Sequence, residues 1–208
     1  SIASHQLRTP LTAIKGYISM ILEGTYGGVE GKTKIPLKNV YQANERLIKL
    51  VNDLLNLSRI ETGRMEIEKE EASIEEVVAS AVETLKIEAK AKDLYLKLEK
   101  PKTAIPKMRF DKQKTIQAIL NIIDNAIRYT GEGGIVVTIQ KEGKTDPVVI
   151  RIKDTGAGMD KEEMSGLFAS FSRGQAGNHY WTEGIGLGLY VAQKFISLQG
   201  GRVWAESE

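Results

Sequence analysis

The chain has 208 residues, 41% of them hydrophobic and 27% charged, with a formal net charge of +2. That balance is ordinary for a globular protein, and so small a charge argues against a nucleic-acid or anionic-membrane partner. The absence of cysteine excludes disulfides, thiolate metal sites and thiol catalysis, and no run approaches the ~18 apolar residues of a membrane span.

The opening SIASHQLRTPLTAIKGY spaces Leu7, Leu11, Ile14, Ile18 and Ile21 along one face, predicting a helix to about Leu22. No signal-peptide pattern opens the chain, and a helical pattern that begins without a cap points to a piece of a longer protein. Pro10 lies one turn in. It has no N–H for the carbonyl of Gln6 and its ring crowds that turn, so a bend is expected, at roughly 3 kcal/mol of helix propensity. The glycine-rich EGTYGGVEG (23–31) breaks the helix. In the next helix, ending near Ile60, Leu37, Val40, Asn44, Leu47, Val51, Leu54 and Ser58 form a heptad seam. Ile48, Leu50, Leu55 and Leu57 widen the apolar face beyond what one partner helix covers. Two copies of the hairpin would complete a four-helix bundle, so a homodimer is predicted.

The pattern changes after ETGR (61–64). MEIEKE reads as a strand, SIEE (73–76) as a capping box opening a helix to about Ala91, and LYLKLEK (94–100) as a strand. A helix over 112–129 follows, then strands GIVVTIQ and PVVIRIKD around the turn GKTD. Helical segments recur near DKEEMSGLF and GLYVAQKFISLQ, with RVWAES as a last strand. This order suggests one sheet with helices on a single face, an α/β sandwich.

On heptad letters with Leu11 and Ile18 at a, His5 takes b, beside the seam and toward solvent, with Thr9 one turn on. A mostly neutral imidazole has a ring nitrogen free to act as nucleophile. Asn121, Asn125 and Arg128 form a stripe roughly opposite the apolar face of TIQAILNIIDNAIRYT. Two amides and a guanidinium in line offer oxygen ligands for Mg²⁺ and a donor for phosphate. Asp154 ends a strand in DTGAGM, where a carboxylate can accept from an exocyclic amine. Gly156 and Gly158 there allow close backbone approach or positive φ. The alternating glycines of GIGLGL (184–189) precede a helix, where N–H groups can face phosphates. Each pattern taken alone also admits a plain reading: a surface histidine, a solvated face, a strand-end turn, a loop and cap. GTYGGVEGKT imitates a phosphate-binding loop, but the required first glycine is Tyr26 and no strand precedes it.

Taken in order, SHQLRTP, NIIDNAIRY, DTGAGM, LFASFSR and GIGLGLY resemble the sensor histidine kinases of two-component signalling over essentially the whole chain. The resemblance implies a dimerisation and histidine-phosphotransfer hairpin (1–62). A catalytic domain (66–208) of the left-handed Bergerat ATP-binding sandwich, shared with type II topoisomerases and mismatch-repair ATPases, would follow. It implies His5 as phosphoacceptor for the γ-phosphate of ATP, and Asn125 with Asn121 as Mg²⁺ ligands. Arg128 would meet phosphates and Tyr129 would border the nucleotide. Asp154 would receive the adenine amino group in a pocket completed by Gly156 and Gly158. Arg173 would steady the γ-phosphate, and Gly184, Gly186, Leu187 and Gly188 would line the phosphates. QAGNHYWTE would be the lid. Thr9 matches the position that orients water when such proteins dephosphorylate a response regulator, whose receiver-domain aspartate is the implied phosphate acceptor. Pro10 would shape the helix around His5 so that it meets both partners in turn. No nucleic-acid or membrane contact is expected of this fragment. It would be the intracellular part of a sensor whose membrane attachment the sequence leaves open.

Three departures from the family pattern stand out. Gln6 replaces the usual acidic residue after the histidine, so an amide oxygen, which can accept the ring's hydrogen bond but not its proton, stands where a carboxylate would take up proton character. Slow autophosphorylation is expected. FASF replaces the more usual FERF, and the chain stops at WAESE, before the family's last strand. Gln6 keeps open a dimeric ATP-binding module with weak or no kinase activity. An ATPase of the topoisomerase type would have no use for SHQLRTP.

Overall fold

A computed structural model describes residues 2–29, 31–101, 103–141, 143, 147–171 and 186–207, with side chains from Leu7 onward. The chain divides into two compact units, Ser1–Met65 and Glu66–Glu208.

The first unit is a helical hairpin of α1 (Ile2–Leu22) and α2 (Lys34–Glu61), with a single 3₁₀ turn at Gly31–Thr33. α1 is continuous through Pro10. It ends because Gly24 takes φ +84°. There the N–H of Thr25 donates to the carbonyl of Met20 (2.9 Å) and that of Gly24 to Ile21 (3.2 Å). This satisfies carbonyls that a helix end would otherwise orphan. Gly63 ends α2 the same way, with Arg64 donating to Arg59 at 2.9 Å. Between the helices Ile18 and Asn44 are buried, and Asn44 Nδ2 donates to the Leu11 carbonyl at 2.9 Å. Lys15 pairs with Glu45 at 3.0 Å and Arg8 donates to Asn52 Oδ1 at 2.8 Å. A buried amide in an apolar seam admits few alternative partners, so Asn44 fixes the register of the pair. A second apolar stripe remains uncovered: Leu7, Ile14, Val40, Leu47 and Leu54, at heptad spacing, are 44–52% exposed.

The second unit runs β1 (Glu70–Ala72), α3 (Ile74–Ala91), β2 (Tyr95–Glu99), β3 (Met108–Phe110), α4 (Lys112–Tyr129), β4 (Gly134–Gln140), β5 (Val149–Asp154), α5 (Lys161–Gly166) and α6 (Gly188–Ser197). Its core joins Val77, Val78, Ala81 and Val82 of α3, Ile119, Ile123 and Ile127 of α4, and Ile135, Val137 and Ile139 of β4. The helical positions recur every three or four residues and those of β4 every second, as the two periods require. Ile123 is fully buried, which contributes about 1.5–3 kcal/mol of hydrophobic stabilisation.

The strands do not make the single sheet that the sequence suggests. β2, β4 and β5 form one sheet, β2 parallel and β5 antiparallel to β4, while β1 and β3 pair separately with Glu70 opposite Phe110. MEIEKE becomes a strand only at its last residue, because the Glu68 N–H goes to the side chain of Asp111 (3.0 Å) and not to a neighbouring strand. RVWAES forms no strand, despite its alternation, because no ladder partner reaches it among the described residues. The SIEE box is half made: Ser73 accepts from the Glu76 N–H at 3.4 Å without the reciprocal bond. A complete box instead opens α5 at Asp160 and Glu163.

Candidate nucleotide site

The site is organised by α4. Asp111 caps its start, accepting from the Lys114 N–H (2.9 Å), the Lys114 ammonium (2.8 Å) and the Glu68 N–H (3.0 Å). Burial pushes the Asp111 carboxyl up, but these bonds outweigh it and hold the group below the usual carboxylate range. The Asp111 N–H donates to Gln199 Oε1 at 2.7 Å. Gln199 Nε2 in turn reaches the carbonyl of Phe195 (2.9 Å) and the Thr115 hydroxyl (3.4 Å). The end of α6 is thereby tied to the start of α4.

The other end of α6 meets the middle of α4, where Asn121 Nδ2 donates to the Gly188 carbonyl at 3.0 Å. This bond fixes the amide's orientation and turns Oδ1 into the acceptor still available. Asn125, one turn on, is partly buried. Neither it nor Asn121 Oδ1 has another hydrogen bond among the described residues. Gly186 takes φ +73° just before α6, a conformation that side chains resist. Leu187 is only 2% exposed and anchors the start of α6 in the interior. At the far end of α4 the Lys92 ammonium caps the carbonyls of Ile127 (3.0 Å) and Arg128 (3.2 Å).

The third wall comes from β5. Asp154 ends the strand, and its Oδ1 accepts from the Gly156 N–H at 2.9 Å. A Cβ on Gly156 would stand 2.8 Å from that oxygen and 2.8 Å from the Tyr129 carbonyl, so no other residue fits there without displacement. Gly158 takes φ +74°. Thr155 closes the corner, donating to the Glu132 carbonyl (2.7 Å) and accepting from the Gly134 N–H (3.0 Å). Asp154, Gly156 and half-exposed Tyr129 thus lie together, at one end of the helix that carries Asn121, Asn125 and Arg128.

Not every expected site residue can be placed. Arg173, Gly184 and the segment QAGNHYWTE lie outside the described residues, as do the side chains of His5 and Gln6, whose backbone is helical within α1. Thr9 is exposed on the same helix. Some neighbours escaped the sequence reading. Asp124 lies 3.8 Å from the Arg128 guanidinium, and its separation of one helical turn was the available signal. Asp111 and Gln199, 88 positions apart, left no local signal. No group of three or more His, Cys, Asp or Glu side chains that could hold a metal occurs among the described residues. A hard cation here would draw on amide oxygens and on the ligand's own phosphates.

Residues 1–63 match the family model described as His Kinase A (phospho-acceptor) domain. Residues 110–208 match that of the histidine kinase-, DNA gyrase B- and HSP90-like ATPases. The sensor histidine kinase WalK of Bacillus subtilis (strain 168) is 30% identical over 217 residues, covering 98% of this chain and 33% of that protein. Among solved structures, full-length ShkA in complex with AMPPNP gives a TM-score of 0.74 at 22% identity, over 99% of this chain and 43% of that one. Histidine kinase ThkA in complex with response regulator protein TrrA gives 0.61 at 20% identity, over 99% and 56%. The chain spans between 19% and 34% of the length of six curated relatives that it matches. With a phospho-acceptor helix pair followed by this ATPase fold, the chain belongs to the histidine kinases.

Proposed function

We propose that the chain is the transferase core of a sensor, using ATP to phosphorylate its own His5 and passing the phosphoryl group to an aspartate of a response-regulator receiver domain. The hairpin 1–62 is the dimerisation and phosphotransfer domain, and 66–208 binds ATP. The observation that carries the reading is the bond from Asn121 to Gly188. It joins the polar stripe of α4 to the start of α6, so that amide oxygens and helix N-terminal N–H groups converge where a triphosphate and its cation need both.

In this reading Asp154 accepts from the adenine amino group, Gly156 and Gly158 admit the ring, and Tyr129 borders it. Asn125 and Asn121 Oδ1 hold Mg²⁺, which would neutralise the phosphates. Arg128, Gly184, Gly186, the Leu187 backbone and Gly188 meet the phosphates, and Arg173 steadies the γ-phosphate. The His5 ring nitrogen attacks the γ-phosphorus. The bond to the bridging oxygen breaks, ADP leaves, and the other ring nitrogen's proton is held by the Gln6 carbonyl. Thr9 orients the water that hydrolyses the response regulator's aspartyl phosphate. The exposed heptad stripe of Leu7, Ile14, Val40, Leu47 and Leu54 supports a second copy as the partner of the hairpin. The reading places this part inside the cell. The described residues include no helix long and apolar enough to cross a membrane.

Gln6 favours one alternative, a dimeric ATP-binding module with little transferase activity. Incubation with γ-labelled ATP separates the two. The kinase reading expects acid-labile, alkali-stable label that is absent from His5→Ala. ATP hydrolysis with no labelled protein would refute it.

A further inference from the structure

The polar stripe of α4 also contains a carboxylate. Asp124 shares the helix face of Asn121, Asn125 and Arg128, three and four residues from its neighbours along it. Only 17% of its side chain and 30% of that of Arg128 are exposed, so both charges are largely covered on the helix face that carries Asn121 and Asn125. At 3.8 Å their contact is an ion pair without a hydrogen bond. The guanidinium is held by charge and can be taken over by a stronger anion that offers matched acceptors. The main chain of Arg128 is fixed by the Lys92 ammonium on its carbonyl, so the exchange needs only a side-chain rotation.

A carboxylate so close to a phosphate-binding stripe opposes a bare triphosphate twice. It repels the phosphates, and it occupies the arginine that would receive them. A divalent cation removes the first penalty by neutralising the phosphates. It reduces the second by adding a positive charge near the carboxylate as the guanidinium turns to the phosphates. We propose that Asp124 is a specificity-determining residue that makes the site select the magnesium complex of ATP over the free nucleotide. The proposal rests on the ATP and Mg²⁺ reading above and adds to it a repulsion of the metal-free nucleotide, which the two asparagines, as neutral cation ligands, cannot supply.

The test is an equilibrium titration of ATP and of adenosine, with Mg²⁺ and with EDTA, on the wild-type chain and on Asp124→Asn, Asp124→Glu and Asp124→Ser. At an effective dielectric of about 20, one unit charge within about 12 Å of a phosphate charge corresponds to at least about tenfold in affinity. The wild type should therefore lose at least about tenfold in ATP affinity on passing to EDTA. Asp124→Asn should shrink that loss by binding metal-free ATP at least about tenfold more tightly. Asp124→Glu, which keeps the charge, should retain the loss. Adenosine carries no phosphate and should bind all variants alike, whereas a merely structural role for Asp124 would move it. Should the asparagine variant melt early, the serine variant gives the same comparison. An Asp124→Asn that keeps the full loss overturns this inference alone, and a wild type that binds ATP equally with and without Mg²⁺ overturns it together with the Mg²⁺ role given to Asn121 and Asn125. A wild type that binds no ATP under either condition overturns the proposed function with it.

Discussion

Replacing Asp111 by alanine perturbs the anchor of α4 at a point where the cost can be counted. The carboxylate is 3% exposed and accepts three bonds, from the Glu68 N–H and from the N–H and ammonium of Lys114. Loss of the helix cap costs about 1 kcal/mol, and leaving the Glu68 N–H without its partner costs about 1–3 kcal/mol more. The expected destabilisation is about 2–4 kcal/mol, or a melting point lower by about 6–15 °C for a unit of this size. The Gln199 contact should survive, because it uses the Asp111 main-chain N–H. The carboxyl titrates below its ordinary range in the folded protein. Its contribution is therefore complete above the unfolded pKa of about 3.9 and is lost as the pH falls through the lower, folded value. Urea unfolding followed by circular dichroism at pH 7 and at successively lower pH should show the gap between wild type and Asp111→Ala wide at neutrality and narrowing below about pH 4. A gap under about 0.5 kcal/mol at pH 7, or one unchanged down to pH 3, would refute the reasoning.

Gly156→Ala should lower ATP affinity at least about tenfold, because its Cβ meets a main-chain carbonyl that cannot step aside; calorimetric titration checks it, and unchanged affinity would remove Gly156 from the pocket. GTP should bind far more weakly than ATP in calorimetric titration, and Asp154→Asn should weaken ATP, since the exposed Asp154 carboxylate, once covered by the base, would face the guanine carbonyl as a second acceptor, a mismatch that can discriminate by as much as about 10⁴. Thr138→Val should raise stability by about 1 kcal/mol in urea melts, as the Thr138 hydroxyl is buried with no hydrogen-bond partner among the described residues. Gln6→Glu should accelerate autophosphorylation, measured as initial rate of label uptake; an unchanged rate would mean that the residue after His5 does not limit proton movement.

The elements legible in the sequence are those whose periodicity is long enough to stand out. α1, α2 and α4 run for five turns or more, and the Ile135, Val137, Ile139 alternation of β4 is unbroken. β1 and β3, at three residues each, are too short to show a period, and they exist because they find each other across the intervening helix and strand. RVWAES shows the converse: alternation without a ladder neighbour is no strand. The same division holds within the site. Asn121, Asn125 and Arg128 lie one helical turn apart and could be read as a stripe, and the glycines announced the Asp154 corner. Asp124 carries no motif of its own in the sequence, and its 3.8 Å approach to Arg128 is what marks it as part of the stripe. The Asp111–Gln199 clasp joins segments from opposite ends of the unit, and only the folded chain brings them together.

The most direct test of the account asks where the phosphoryl group goes. The chain and its Gln6→Glu variant would be incubated with Mg²⁺ and ATP, cleaved after Arg8 under alkaline conditions, and the peptide spanning residues 1–8 weighed and fragmented. One added phosphoryl group is expected on the His5 ring, more of it in Gln6→Glu, and none when Mg²⁺ is withheld. A protein that binds ATP tightly while this peptide stays unmodified in both forms, or that carries the group on another residue, would contradict it.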